Sequence, residues 1–391
     1  MIFVKRDDLK TGMRLARPIY NKNGVLLYER NSKLTAQGLN SIKNFGLLGV
    51  FVLEPAEPVP PMTKDDIEFE RFQTICVFSI QEELDWILQT SRYSKIQTIA
   101  ANIIKNYGHL DHKITFMQNL RSKEDYFYKH SLNVAILCAM IAHTMKATVS
   151  EQLDAVTAAI VHDIGKLSAP KNLMLQDTWT EAEREQLRNA EVAGFSKIEH
   201  VFSTNPNIKR ICMQAQNNLD NLQRGRTTDM SKMVTGAKIL SVAEIFDTIT
   251  AVQLDRERQS EIAAFKHLLR NPRYFDEKVV TALSSSINLL VPGVSVELNT
   301  GAKGLVLVEN ERNILKPLVL TFNDNRIIDL NNRVYDGHIE IVDIMKTMDN
   351  RHVMNRELLK RHGIDVEEPE YVGIGEEGEA EAEEEYIPGM M

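Results

Sequence analysis

At 391 residues, with 43% hydrophobic and 26% charged residues, the chain has the composition of an ordinary soluble protein of two or three domains, which excludes a disordered or fibrous one. Its formal net charge of −8 sits at the C-terminal end: from Asp365 onward there are eleven acidic residues and no Lys or Arg, so residues 1–364 carry +3. A body so nearly balanced has no electrostatic footprint for duplex nucleic acid, and it leaves a small anionic ligand open as a partner.

Residues 1–53 alternate short apolar runs with turn residues. Asn21-Lys22-Asn23-Gly24 before Val25-Leu26-Leu27-Tyr28 reads as a hairpin, Leu34 to Phe45 as a helix, and Leu47 to Leu53 as a strand. Together they predict a small N-terminal α/β module. A Pro-rich linker follows at 54–62, because four prolines between Glu54 and Pro61 exclude helix. Asp65 to Asn106 is then free of Pro and Gly and helical by period, as one helix or a pair.

From His109 to about Met345 the pattern is mostly helix after helix. Thr148 with Glu151 predicts a capping box that opens a helix running to Asp163. Asp177-Thr178-Trp179-Thr180-Glu181 opens another, with Gly194 as a candidate interruption. Apolar alternation through 292–330 predicts a small β element. The fold class is therefore mainly α, with a helical domain over 63–345, a terminal helix at 346–364, and an acidic tail at 365–391 expected to be disordered. Leu132 to Ala142 is the most apolar run and falls short of the ~18–20 residues a membrane span requires. With an N-terminus that lacks a signal-peptide pattern, the expected location is cytoplasmic. Cys76, Cys138 and Cys212 are isolated and odd in number, which favours buried thiols over disulfides or a zinc site.

The chemistry concentrates at Ala158-Ala159-Ile160-Val161-His162-Asp163-Ile164-Gly165-Lys166, where an apolar helical run ends in a His-Asp pair, a glycine and a lysine. A neutral imidazole beside a carboxylate is a ready pair of metal ligands. Gly165 is expected to end the helix in a left-handed conformation, and Lys166 to add a positive charge at phosphate distance from a bound metal. Upstream, Tyr128-Lys129-His130-Ser131-Leu132-Asn133-Val134-Ala135 opens a second apolar helix with a histidine. Downstream, residues 236–247 read GAKILSVAEIFD.

Taken together, these stretches resemble the HD superfamily and, within it, the HD-GYP family. That resemblance covers roughly 63 to 345 and implies an HD-type helical domain that holds two or three metals, usually iron or manganese, and hydrolyses cyclic di-GMP. A bridged cluster of that kind clamps the phosphodiester and supplies a hydroxide nucleophile at neutral pH. His130, His162 and Asp163 match the family's ligands directly, and Glu244 matches its late Asp with one methylene more. Lys166 matches a phosphate-facing lysine, so Asp163 and Lys166 are the candidate catalytic residues. Asp247 is expected to support a ligand and not to be one.

The other family positions are changed. Tyr126 stands where a Glu is expected, Ala190 where the third His is expected with Gly194 retained, and Ala215 and Gln216 where paired histidines are expected. The signature stretch reads Asp220-Asn221-Leu222-Gln223-Arg224-Gly225 and keeps only its aspartate. Asn189 and His200 are the available substitutes: Asn189 is a poor ligand, and His200, ten residues past Ala190, is nearly three turns along a continuous helix. The resemblance thus implies at most one divalent ion, iron or manganese, on His130, His162, Asp163 and Glu244, or none at all. Two functions follow. One is a signalling protein that binds a cyclic dinucleotide, another nucleotide or a protein partner, with catalysis lost or weak. The other is an active mononuclear phosphohydrolase. The sequence leaves the oligomeric state open.

Overall fold

The computed structural model describes residues 2–344 except 22, 45–48, 54–58, 60–61, 119, 122–124, 171–172, 174–179, 254–258, 311 and 333–337, together with 372–373. The chain divides into two units, one built on Met1–Ile75 and the other on Cys76–Lys346. The stretches expected as a terminal helix at 346–364 and as the 365–391 tail, Val372 and Gly373 apart, lie outside the described residues, as does most of the Pro-rich linker.

In the first unit the short apolar runs pair as strands. β1 (Ile2–Lys5) and β2 (Arg14–Leu15) flank β5 (Gly49–Leu53), both antiparallel to it. β3 (Ile19–Tyr20) and β4 (Leu26–Tyr28) form the expected hairpin. Its turn depends on Asn21, whose Oδ1 accepts from the backbone N–H groups of Asn23 at 2.9 Å and Val25 at 3.0 Å. α1 (Ala36–Asn44) packs Ile42 into a core of Leu15, Leu34, Val50 and Val52. Val372 belongs to this unit: its N–H donates to the Met62 carbonyl at 2.8 Å, and its own carbonyl accepts from the buried Arg30 guanidinium.

The long Pro- and Gly-free stretch is a pair of helices, α2 (Lys64–Thr90) and α3 (Ile96–Tyr107). Buried Glu83 of α2 accepts from the N–H groups of Ser94 at 2.6 Å, Lys95 at 2.9 Å and Ile96 at 3.1 Å. A carboxylate there satisfies the first backbone donors of α3 and complements its dipole. A short strand, β6 (Leu120–Arg121), precedes α4 (Tyr126–Thr144), in which every residue from His130 to Ala142 is buried. A helix apolar on all sides belongs at the centre of its domain.

α5 (Val149–Val161) opens on the predicted Thr148–Glu151 capping box and is followed by the short α6 (Ile164–Leu167). α7 (Glu181–Val201) opens on a second capping box at Thr180 and runs through Gly194 without a break. The expected interruption is therefore wrong. That glycine is required by packing, since a Cβ on it would lie 2.6 Å from the Gly165 Cα.

α8 (Asn207–Gln223) and α9 (Thr235–Thr250) complete the walls around α4 and α5, and β7 (Val252–Gln253) pairs in parallel with β6. α10 (Glu261–Arg270) and α11 (Glu277–Ser284) lead to the C-terminal β element. Its strands are β8 (Ser295–Leu298), β9 (Lys303–Val308), β10 (Leu318–Thr321), β11 (Ile327–Asp329) and β12 (Ile341–Ile344), ordered β11-β10-β9-β8-β12. Apolar alternation through 292–330 covers four of these strands. The last, β12, lies beyond that stretch and is held by Lys266, whose ammonium donates to the Ile341 and Val342 carbonyls at 2.6 and 2.8 Å.

Candidate metal centre

Three elements bring the predicted ligands together. His130 lies in the first turns of α4, His162 closes α5, and Asp163 precedes α6 at the bend between the two helices. α4 and α5 pack side by side because both are apolar nearly throughout. The polar residues at their ends are thereby carried into an otherwise dry interior: His130 is 2% and Asp163 3% exposed.

His130, His162 and Asp163 offer ligand atoms that all lie within 4.8 Å of one another. The two imidazole Nε2 atoms are 3.3 Å apart, and each is within 3.8 Å of an Asp163 oxygen. Their outer nitrogens decide what the inner ones can do. His162 Nδ1 is 2.7 Å from the Ala159 carbonyl, and His130 Nδ1 is 2.6 Å from Asp247 Oδ2. A carbonyl and a carboxylate only accept, so both Nδ1 atoms carry a proton, and a neutral ring so held presents its lone pair at Nε2. Two lone pairs and a carboxylate facing one another in a buried space repel unless a cation stands among them. This donor set fits a divalent metal, with imidazole nitrogens and one carboxylate inward and a carboxylate behind one histidine.

Asp247 stands behind His130, on the side away from the cluster. Its oxygens also accept from Arg121 at 2.5 and 2.7 Å, Gln118 at 3.0 Å and Asn133 at 3.1 Å. Burial works to raise the Asp247 pKa, but Arg121 and His130 outweigh it and hold the carboxyl well below its usual range. Gln118 and Arg121 are functional candidates that the sequence reading missed. No spacing rule connects Arg121 to Asp247, which pair only because β6 and β7 lie side by side. Tyr126, at the position of the expected Glu, stacks on His130 with centroids 5.6 Å apart and lies beneath the Arg121 guanidinium.

Lys166 reaches back one turn to Asp163, Nζ to Oδ1 2.7 Å, and lies 4.0 Å from Glu191 Oε1. Burial would lower the lysine's pKa, but Asp163, Glu244 and Glu191 overcome it and keep the ammonium charged. Burial pushes Glu191 up to about 7, Lys166 opposing and Asp163, Asp220 and Glu244 adding to it. Glu191 is a third residue that sequence reading missed. Its signal was its place beside Ala190, where the motif count had put a ligand.

The expectation that Gly165 ends a helix in a left-handed conformation fails. It sits inside α6, and a Cβ on it would meet the Ala190 carbonyl oxygen at 2.5 Å and the Glu191 Cα at 2.8 Å. Backbone-to-backbone contact of α6 with α7 is what requires glycine at 165 and at 194.

Glu244 is buried on α9, one turn before Asp247, and is not one of the three residues grouped within 4.8 Å. Ala215 is buried on α8, and Gln216 donates its amide to Asp220 at 3.0 Å. The candidate substitutes Asn189 and His200 are exposed.

The HD domain family model matches residues 115–279, a span that contains His130, His162, Asp163, Glu244 and Asp247. A relative is the cyclic di-GMP phosphodiesterase PA4108 of Pseudomonas aeruginosa, 20% identical over 228 residues, or 58% of this chain and 54% of the relative. The chain thus matches about half the length of that protein. Among solved structures, Bd1817, an HDG"Y"P protein from Bdellovibrio bacteriovorus, aligns with 13% identity and a TM-score of 0.40, covering 72% of this chain and 97% of its own. Among the described residues, no helix is long and apolar enough to cross a membrane.

Proposed function

We propose that this chain, whose residues 115–279 match the HD domain family model, is a protein of HD-GYP type that acts in signalling by binding a nucleotide or a protein partner at a one-ion centre whose hydrolytic capacity is lost or weak. The observation that carries this reading is the contrast between two sets of positions. His130, His162 and Asp163 converge with their lone pairs inward. The positions counted for further imidazoles hold Ala190, Ala215 and Gln216, and Gln216 spends its amide on Asp220.

In this reading His130, His162 and Asp163 hold the ion, with Glu244 as a fourth ligand from α9. When bound, the ion supplies Lewis-acid polarisation of a phosphoryl oxygen. Asp247 keeps the His130 proton on Nδ1, so that Nε2 stays available as a donor to the ion. Lys166 adds positive charge beside Asp163 for an anionic ligand. Binding draws on these ground-state interactions, whereas hydrolysis needs charge stabilisation that strengthens in the transition state. Loss of three imidazoles removes the obvious source of that second contribution.

The name of the Pseudomonas relative makes cyclic di-GMP the first nucleotide to test. A second reading, a slow mononuclear phosphohydrolase acting on cyclic di-GMP or another nucleotide, is favoured by the intact inward-facing donor set, which a pure scaffold has no need to keep. The two separate in one experiment: protein loaded with manganese or ferrous iron under reducing conditions is titrated with cyclic di-GMP, and the products are then quantified. We expect metal-dependent binding with less than one turnover per chain. Multiple-turnover hydrolysis that disappears in His162→Ala would establish the enzyme instead.

A further inference from the structure

We propose that a cavity at the far end of α4 from the metal centre binds a nucleoside monophosphate, with the base against Tyr107 and Met140 and the phosphate at Lys146. The site stands independently of the one-ion reading above, since it shares no residue with the histidine cluster.

The cavity, of about 310 Å³, lies between the segment that follows α3, the last turns of α4 and the end of α11. Thr144 follows His130 by fourteen residues of one continuous helix, which puts the two sites roughly 20 Å apart along its axis. The volume is at the small end of the range for ligand pockets and suits one ring system with a substituent. Its floor is apolar, made by the buried side chains of Tyr107 and Met140 with Leu110 beside them.

The hydroxyls on its wall decide what that floor can recognise. Ser286 donates to the Ala282 carbonyl at 2.7 Å, so the 2.9 Å bond between Thr144 and Ser286 is donated by Thr144. Ser285 donates to the Thr281 carbonyl at 3.0 Å. With these protons spent, the Thr144 and Ser285 oxygens are left to accept, and the C-termini of α4 and α11 add partial negative charge beside them. An apolar floor with acceptor oxygens fits a planar ring that carries N–H groups.

The mouth has the opposite chemistry. Lys146 and His143 line it, and among the described residues neither side chain has a hydrogen bond or an ion pair. Asp111 is the one carboxylate of the lining; it is 98% exposed and accepts from His112 Nδ1 at 3.1 Å. Lys146 also departs from the local rule for ending a helix. It closes α4 at φ 58°, with its N–H donating to the His143 carbonyl at 2.8 Å and the Ala147 N–H to the Ala142 carbonyl at 2.9 Å. Glycine is the favoured residue at that position. A lysine there carries a steric cost that glycine avoids, and it places a cationic side chain at the cavity.

That conformation makes Lys146→Gly a clean test, because it removes the ammonium while relieving the backbone. Full-length protein is titrated calorimetrically with guanosine and adenosine 5′-monophosphates, with the two nucleosides and with inorganic phosphate. We expect one monophosphate per chain at this site, with nucleoside and phosphate each binding at least about tenfold more weakly. The same binding step should persist in His162→Ala, which removes a donor of the metal centre. Lys146→Gly should weaken it by about tenfold or more while the melting temperature holds or rises, and Lys146→Gln, which keeps the stem without the charge, should lose as much. No monophosphate binding, binding unchanged in both Lys146 variants, binding abolished by His162→Ala, or phosphate alone binding as tightly as the monophosphate would each overturn the assignment.

Discussion

Asp247 and Arg121 act on the centre without being among its inward donors. Asp247→Asn weakens the acceptor behind His130 and leaves the buried Arg121 guanidinium without its counter-charge, so metal affinity should fall by about 10–100-fold and stability by about 3–5 kcal/mol, read by manganese titration and chemical denaturation. Arg121→Met breaks the same pair from the other side. It strands the Asp247 carboxylate, 0% exposed, without its cation, at a cost of about 3–5 kcal/mol in chemical denaturation. Cys76 provides a check on burial away from the site. Desolvation raises its thiol from 9.0 to about 12 in the folded state. The folded chain thus keeps a proton that the unfolded chain releases near pH 9.0, so this contribution is intact below that pH and is lost as pH rises from about 9 toward 12. The stability difference between wild type and Cys76→Ala should accordingly shrink by about 1.4 kcal/mol between pH 8 and 10. A difference independent of pH would show that the thiol is not held neutral.

At the scale of elements, the contact of α6 with α7 positions Lys166 and Glu191 together. Its closeness leaves no slack: a Cβ on Gly194 meets backbone atoms of Gly165 at 2.6 and 2.7 Å, and backbone cannot swing aside as a long side chain can. Gly194→Ala should therefore cost about 1–3 kcal/mol by overpacking. It should also separate Lys166 from Glu191. A thermal melt checks the first expectation. Unchanged stability would mean that α7 can shift along α6.

At the scale of the molecule, the C-terminal stretch divides at Val372 and Gly373. Val372 makes two hydrogen bonds within the N-terminal unit, one of them with a buried guanidinium. Beyond it the composition is acidic and nearly without apolar periodicity. A chain ending at Gly373 should melt as the full-length protein does. One ending at Gly363 should lose about 1–2 kcal/mol from the N-terminal unit, because the Met62 carbonyl and one Arg30 donor lose their partner. Equal melting temperatures for both truncations would show that the Val372 bonds contribute nothing.

Local physics was legible in the residues themselves. The hairpin at Asn21 to Gly24 and the capping box at Thr148 and Glu151 rest on interactions between close neighbours in the chain. The buried run of α4 follows from its apolar sequence alone. His130, His162 and Asp163 were legible as candidates because motif spacing on two apolar helices carries them to neighbouring ends. Tertiary structure decided the remainder. Arg121 and Asp247 are 126 residues apart and meet only through a two-residue strand pair, and Glu191 reaches Lys166 only because two glycines let two backbones touch. Gly165 and Gly194 were read by local rules as a helix end and a break, whereas both are demanded by a neighbour far away in sequence. Which imidazole nitrogen is held by a proton-accepting partner follows from Ala159 and Asp247, and that leaves the Nε2 atoms of the two histidines facing each other beside Asp163, a group that could hold a metal.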